Sequence, residues 1–330
     1  MKKKRQGALN VKFRGLIVLL ALAVAGCAGG NDSGGTGSGP SASTPQATPT
    51  ESAVPETGGA SVPPSPSEAT EPPAAVLNPE SLSGLFGFAD EQGTRLMALT
   101  DGMEPETAGA GELESYRLAI GEGGGQTLRI RYEKHQTRTE QDNGRQSSYN
   151  FDNMEGDIYT IEEGKATPNE SYFLVSEEQF DVQALLPLKP SADRELPDEA
   201  AKKIAEAKGR AIEQGWLLAH ARDGQRIYAV QYQRQGDDML ASLVWEDGER
   251  LVFLDYPAVY DEFSTWRVDD GAEISPDMFR FLFAARSADD EVVLGVQWLG
   301  AEGENLDIAA SSEDRFETIG LSAGRYLSPI

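Results

Sequence analysis

The chain has 330 residues, one cysteine, 54 acidic against 29 basic side chains and a formal net charge of −25. So acidic a balance argues against nucleic acid, because phosphate-backbone binding needs clustered Lys and Arg to displace counterions, and it also argues against pressing the folded part onto anionic lipid. A single cysteine leaves no intrachain disulfide, so stability has to come from an apolar core.

The chain begins with Lys2, Lys3, Lys4, Arg5, Lys12 and Arg14, then an apolar run from Leu16 to Val24, then small residues up to Cys27. A basic start, an apolar middle and a small-residue cut site are the parts of a secretion signal. The run is far shorter than the roughly 20 apolar residues that span a bilayer. Val24-Ala25-Gly26-Cys27 resembles the lipobox of bacterial lipoproteins. The resemblance implies cleavage after Gly26 and a lipid on the sulfur of Cys27, with residues 1–26 as the signal peptide. It further implies a chain held on the extracytoplasmic face of the cell membrane by two or three acyl chains, enough for stable attachment where one is not.

Residues 27–78, the modified cysteine and the tract behind it, read as a disordered linker. Gly, Ser, Thr, Pro and Ala dominate the tract, which has no Lys or Arg and includes Pro63-Pro64-Ser65-Pro66. Large apolar side chains are too few there to offset the entropy of ordering. About 50 residues of such coil span roughly 40 Å on average.

The folded region is expected over 79–330 as α+β, mainly antiparallel meanders and hairpins with one prominent amphipathic helix near 198–214. Pro187, Pro190 and Pro197 suggest a division into a β-rich subdomain, 79–190, and a helix plus antiparallel β subdomain, 191–330. The first strands flank Glu91-Gln92-Gly93, at Leu85–Ala89 and Leu96–Thr100. Leu128, Ile130 and Tyr132 alternate with Arg129, Arg131 and Glu133, the period of a half-buried strand. Asn143-Gly144 suits a hairpin turn, and further strands are expected at Asp157–Glu162 and Tyr172–Ser176. A helix is expected from Asp198 to Gln214, ended by Gly215, with Ala200, Ile204, Ala207, Ala211 and Ile212 as its apolar stripe.

Aspartate–glycine and glycine–aspartate pairs then mark turns between Trp216–Arg222, Arg226–Gln233, Leu240–Trp245 and Arg250–Tyr256. Phe279, Phe281 and Phe283 alternate as in a strand, although Ser275-Pro276 would also suit a helix start. A turn at Asp289-Asp290 leads to a strand over Val292–Leu299, and two more strands are expected between Leu306 and Leu327. The helix-then-meander order over 198–256, with Glu199-Ala200-Ala201 and Tyr228-Ala229-Val230, is similar to the PepSY module of secreted bacterial proteins. The likeness implies a binding or regulatory module without catalytic residues. It departs from the family at Asp255, which is followed by Tyr256-Pro257 rather than a threonine–glycine turn.

Carboxylates are so many that their presence carries little information, and more specific constellations are sparse. His220 is expected as a core or edge histidine on the face of Trp216 and Leu218, and His135 as a solvated one. Two histidines cannot build a histidine-rich zinc site. Asp32-Ser33-Gly34-Gly35 resembles a trypsin-like active-site stretch but lies in the linker, without the oriented base and rigid oxyanion hole a working serine needs. Gly121–Gly125 lacks the P-loop lysine and reads as a flexible loop. The acidic turns at Asp152, Glu155 and Asp157 and at Asp269-Asp270-Gly271 do not match EF-hand spacing. Tyr228, Tyr232, Trp245, Tyr256, Tyr260, Trp266 and Trp298 fit core or cross-strand pairing, with a sugar or peptide platform as the alternative.

Beyond lipidation at Cys27 and cleavage at Gly26, no residue is assigned a role, and no catalytic residue, cofactor or metal is expected. The sequence favours a non-catalytic module binding an envelope protein, peptide or polymer. A secreted hydrolase with an acidic site and a solute-binding lipoprotein of a transporter remain as alternatives.

Overall fold

The computed structural model describes residues 75–99, 110–222 and 224–327. Gly26, Cys27 and the linker as far as residue 74, with its Asp32-Ser33-Gly34-Gly35 stretch, lie outside the described residues, as does Thr100. Residues 75–78, at the expected end of the linker, are described and pack on the folded part through Ala75 and Leu77.

Six strands close into a small antiparallel barrel in the order β1-β2-β5-β4-β3-β6. They are β1 (Gly84–Ala89), β2 (Arg95–Ala98), β3 (Leu118–Gly121), β4 (Gln126–Gln136), β5 (Gly156–Ile161) and β6 (Ser171–Val175). A short helix, α1 (Ala110–Ser115), precedes β3 and adds Leu113 to the cluster formed by Leu85, Leu96, Ala119, Leu128, Ile130, Tyr159, Tyr172 and Leu174. The intervening residues Phe86, Phe88, Met97, Ile120, Ile158 and Phe173 point the other way and join a second cluster. Five of the strands are therefore buried on both faces. Only β4 keeps a solvated outer face, through Arg129, Arg131 and Glu133, and it alone shows a clean alternation in the sequence.

The other nine strands form one sheet in the order β12-β13-β14-β15-β11-β10-β9-β8-β7. In chain order they are β7 (Lys189–Pro190), β8 (Ile212–His220), β9 (Arg226–Tyr232), β10 (Asp238–Asp247), β11 (Arg250–Val259), β12 (Phe279–Arg286), β13 (Val292–Leu299), β14 (Gly303–Ser312) and β15 (Arg315–Tyr326). All pairs are antiparallel except β11 with β15, which meet in parallel at Phe253 and Arg315. The sheet folds over at this junction. Leu218, Ile227, Leu243, Trp245 and Leu254 of one half then pack against Phe279, Phe281, Leu294, Val296 and Trp298 of the other.

Each half has a second apolar face with its own cover. Helix α2 (Asp198–Lys208) buries Ala200 and Ile204 against Leu217, Tyr228, Val230, Val244 and Phe253. The barrel covers the other half, where Phe86, Phe88 and Phe173 share a cluster with Leu282, Phe283, Val293, Leu306 and Ile308. Leu77, 1 % exposed, joins this cluster and donates its N–H to the Arg286 carbonyl.

Three sequence expectations need correction. Helix α2 stops at Lys208 rather than Gln214, because Gly209 takes the left-handed conformation (φ 65°) and closes the end, with its N–H on Glu206 and that of Arg210 on Ala205. Ala211 and Ile212 thus leave the helix, Ile212 starting β8, and Gly215 sits inside that strand. Asn143-Gly144 does not join a tight hairpin. It lies in the long β4–β5 connection, where the Asn143 carboxamide oxygen accepts from Arg145 N–H and the pair turns the loop only locally. Gly121–Gly125 is packed rather than a flexible loop. A Cβ on Gly123 would lie 3.0 Å from Leu188 and one on Gly124 3.2 Å from Leu185, so the glycines admit the close approach of barrel to sheet.

Candidate functional site

A cleft of about 610 Å³ with both polar and apolar walls lies at the junction of barrel and sheet, within the size range of ligand sites. It lies where the two ends of the folded sheet approach each other. Strand β12 at one end and the chain leading into β7 at the other touch through Leu186 N–H on Ala284 O at 2.8 Å and a bridge between Leu185 and Ala285. Beyond that contact they diverge, since Leu188 donates to Gly123 O and Lys189 pairs with His220 of β8.

The floor of the cleft is apolar, from Leu188, Leu218, Phe279 and Phe281. Its rim is charged and paired. Arg194 donates to Asp277 at 2.6 Å, and Arg280 to both carboxylate oxygens of Glu170 at 2.9 and 3.2 Å. Thr167 donates its hydroxyl to Glu122. These pairs are solvent-exposed, so each contributes little to stability; they fix the shape and charge of the entrance.

Behind the cleft lies a buried polar network that ties barrel to sheet. Arg325 of β15 and Glu304 of β14 form an ion pair at 3.0 Å, with 1 % and 3 % of their side chains exposed. The guanidinium also donates to Ser171 Oγ, Asn169 O, Asn169 Oδ1 and Gln146 O, while Glu304 accepts from Gln297 at 2.9 Å. Arg325 sits 4.3 Å above the Phe88 ring. Burial lowers the Arg325 pKa, and the charge of Glu304 works against that fall.

The residues singled out in the sequence are not gathered in this cleft. His220 ends β8 and is exposed, so of the core or edge positions expected it does not take the core one, nor does it share the buried face of Leu218. The β8–β9 register shifts between Leu217 and Ala219, which puts Leu218 and Ala219 on the same face and turns His220 outward. His135 is exposed but not purely solvated: its Nδ1 lies 3.1 Å from Asp157 Oδ1 and its Nε2 3.6 Å from Glu155, while Tyr132 donates to the same Asp157 oxygen. Asp152 pairs with Arg95 at 2.8 Å. Asp270 accepts from the N–H groups of Thr265, Trp266, Arg267 and Ala272, so it shapes its loop. Among the described residues, no three His, Cys, Asp or Glu are grouped to hold a metal ion. Of the aromatic residues, Tyr228, Tyr232, Trp245 and Trp298 are core, and Tyr260 is exposed with Arg234 stacked 3.9 Å over its ring.

Sequence reasoning found no residue of the cleft as a site. Its walls come from six separate stretches of chain, and the signals that mark it, a strand left at a sheet end and a proline-punctuated return, exist only once the strand order is known.

One ionisable group in the folded sheet carries a strain of its own. Asp307 of β14 lies near Tyr256, and burial raises its pKa above the ordinary carboxylate range; Tyr256 is pushed up mainly by burial, with Asp307 adding to it. The unfolded chain ionises Asp307 more readily than the folded one, so the residue subtracts stability at neutral pH and nothing once both states are protonated. Asp307→Asn is therefore expected to raise the urea midpoint at about pH 7 and to lose that gain by about pH 3. An equal gain at both pH values would assign the effect to shape rather than charge.

No family model matches the sequence, and no curated protein and no solved structure matches it either.

Proposed function

We propose that this chain is a lipid-anchored, extracytoplasmic lipoprotein whose folded part is a non-catalytic binding or regulatory module, and that the cleft between barrel and sheet is its binding site. The observation that carries the site is the cleft's make-up: an apolar floor of Leu188, Leu218, Phe279 and Phe281 under a rim where Glu170 and Asp277 are each held by an arginine. Such a surface recognises an apolar body and orients it by its polar edge. An acidic hydrolase needs two carboxyls facing one substrate bond, whereas of the three on this rim Glu170 and Asp277 are engaged by separate arginines, which leaves Glu122 alone. The solute-binding reading calls for two α/β lobes, whereas these strands form a barrel and one folded sheet.

The anchor is supported by the basic start, the apolar run and Val24-Ala25-Gly26-Cys27, and no helix among the described residues is long and apolar enough to cross a membrane. The linker behind Cys27, which ends before Ala75 because Leu77 is already buried in the folded part, then gives the module its reach. The order of helix α2 and strands β8–β11 supports the likeness to a PepSY module, and the solvated side of α2 supports calling it amphipathic. Strand β11, however, runs on to Val259 through the place of that family's closing turn.

The anchor is tested by metabolic labelling with radioactive palmitate. The wild-type chain is expected to take up label and Cys27→Ala to take up none. Label retained by Cys27→Ala would refute lipidation at this residue.

A further inference from the structure

The cleft runs along an open strand edge. Residues from both faces of β12 line it, Phe279 and Phe281 from the side of the folded-sheet core and Arg280 from the other, which places it beside the strand rather than over either face. The register shows which main-chain groups meet it. Ala284 pairs with Leu294, and its carbonyl points away from β13 to accept from Leu186. On β13, alternate residues share a direction, so Val296 and Trp298 follow Leu294 and their partners Phe281 and Phe279 turn their N–H and C=O groups away from β13. Those groups face the cleft.

The chain itself already uses the neighbouring part of this edge. Leu185–Leu186 pairs beside Ala284–Ala285, and Leu77 donates to Arg286 O. The ladder stops after Leu186, because the next N–H with that direction, that of Leu188, goes to Gly123 O and the chain departs to pair with β8.

We infer that the edge from Phe279 to Phe281 is a strand-addition site: an extended segment of another protein, neutral to basic and with apolar side chains at alternate positions, pairs with β12 inside the cleft and continues the added strand that Leu185–Leu186 begins. This rests on the reading of the cleft as the binding site. Main-chain pairing supplies the affinity and the pockets between alternate side chains supply the choice. Apolar side chains of the segment meet Phe279, Phe281, Leu188 and Leu218. A basic residue meets Glu122 at the rim, and the chain's net charge of −25 disfavours an acidic segment.

The test uses the full lipidated chain in detergent micelles, panned against displayed random dodecapeptides. Recovered peptides are then compared with versions N-methylated at single positions, and the amide and methyl resonances of the protein are followed. The expected result is protection of the Phe279 and Phe281 amides from hydrogen exchange. N-methylation at alternate peptide positions should weaken binding by about tenfold or more, while the positions between them tolerate it. Peptides, or the apolar dye anilinonaphthalene sulfonate, that shift the Leu188 and Leu218 methyl signals without amide protection or sensitivity to N-methylation would overturn strand addition and leave the cleft as a binding site. If neither probe moves those signals, both readings fall.

Discussion

Replacing Arg325 with methionine is expected to cost the protein about 3–5 kcal/mol, because it leaves the carboxylate of Glu304 buried without its counter-charge. The side chains are 1 % and 3 % exposed, so water cannot take over. The loss goes beyond the pair. The acceptors on Asn169 and Gln146 belong to the barrel's loops, while Glu304 and Arg325 belong to the sheet, so the variant removes polar contacts across the junction of the two. The charge part should be recoverable. Arg325→Met combined with Glu304→Leu is expected to be less destabilised than the sum of the single changes, since the double variant buries no lone ion. Urea unfolding of the four proteins measures the coupling. Single variants within about 1 kcal/mol of wild type would show that the pair is not held dry as the structure has it.

Phe283→Ala is expected to be of similar size, about 3–5 kcal/mol, through an apolar route. Phe283 is fully buried on β12 where barrel meets sheet. Its ring lies edge-on to Phe180 at 5.2 Å and tilted to Phe173 at 5.7 Å, and Gly295 opposite leaves room for it, since a Cβ there would lie 3.0 Å from the ring. Backbone on several sides limits collapse into the hole, which places the cost high in the range for a lost core aromatic. For a folded part of this size the change corresponds to a fall in Tm on the order of 10 °C. A loss under about 1 kcal/mol would mean that barrel and sheet do not depend on this contact.

Where the sequence can be read correctly, a local cause is visible. The meander of β8 to β11 is bounded by turn glycines such as Gly248 at φ 60°, and its strands fall within a few residues of the expected ones. Phe279–Arg286 is a strand because Phe279 and Phe281 enter the fold-over core, while Ser275-Pro276 starts no more than a single 3₁₀ turn, Pro276–Met278. Errors arise where two local signals compete or where a tertiary contact decides. Gly215 is the expected end of α2, but Gly209, six residues earlier, takes the left-handed conformation and ends it first. Gly121–Gly125 lacks any apolar side chain of its own, so nothing in it announces that Leu185, Leu188 and Phe283 press against its backbone.

The closed barrel and the buried ion pair are of another kind. Glu304 and Arg325 face each other across the β14–β15 hairpin, but Ser171 lies 133 residues before Glu304, and its arrival against the pair follows from how barrel and sheet assemble, which periodicity does not encode. The cleft is equally nonlocal: Glu122, Glu170, Leu188, Leu218 and Phe281 share no motif.

The central claim is that this cleft is where the tethered module meets its partner. The most direct measurement places a photo-crosslinking amino acid at Asp277 on the cleft rim and, as a control, at Glu206 on the exposed side of α2, in cells carrying the lipidated chain. Crosslinked species are then identified by mass spectrometry. One dominant adduct from position 277 that is absent from position 206 is the predicted result. The same adducts from both positions, or none from position 277, would contradict the claim.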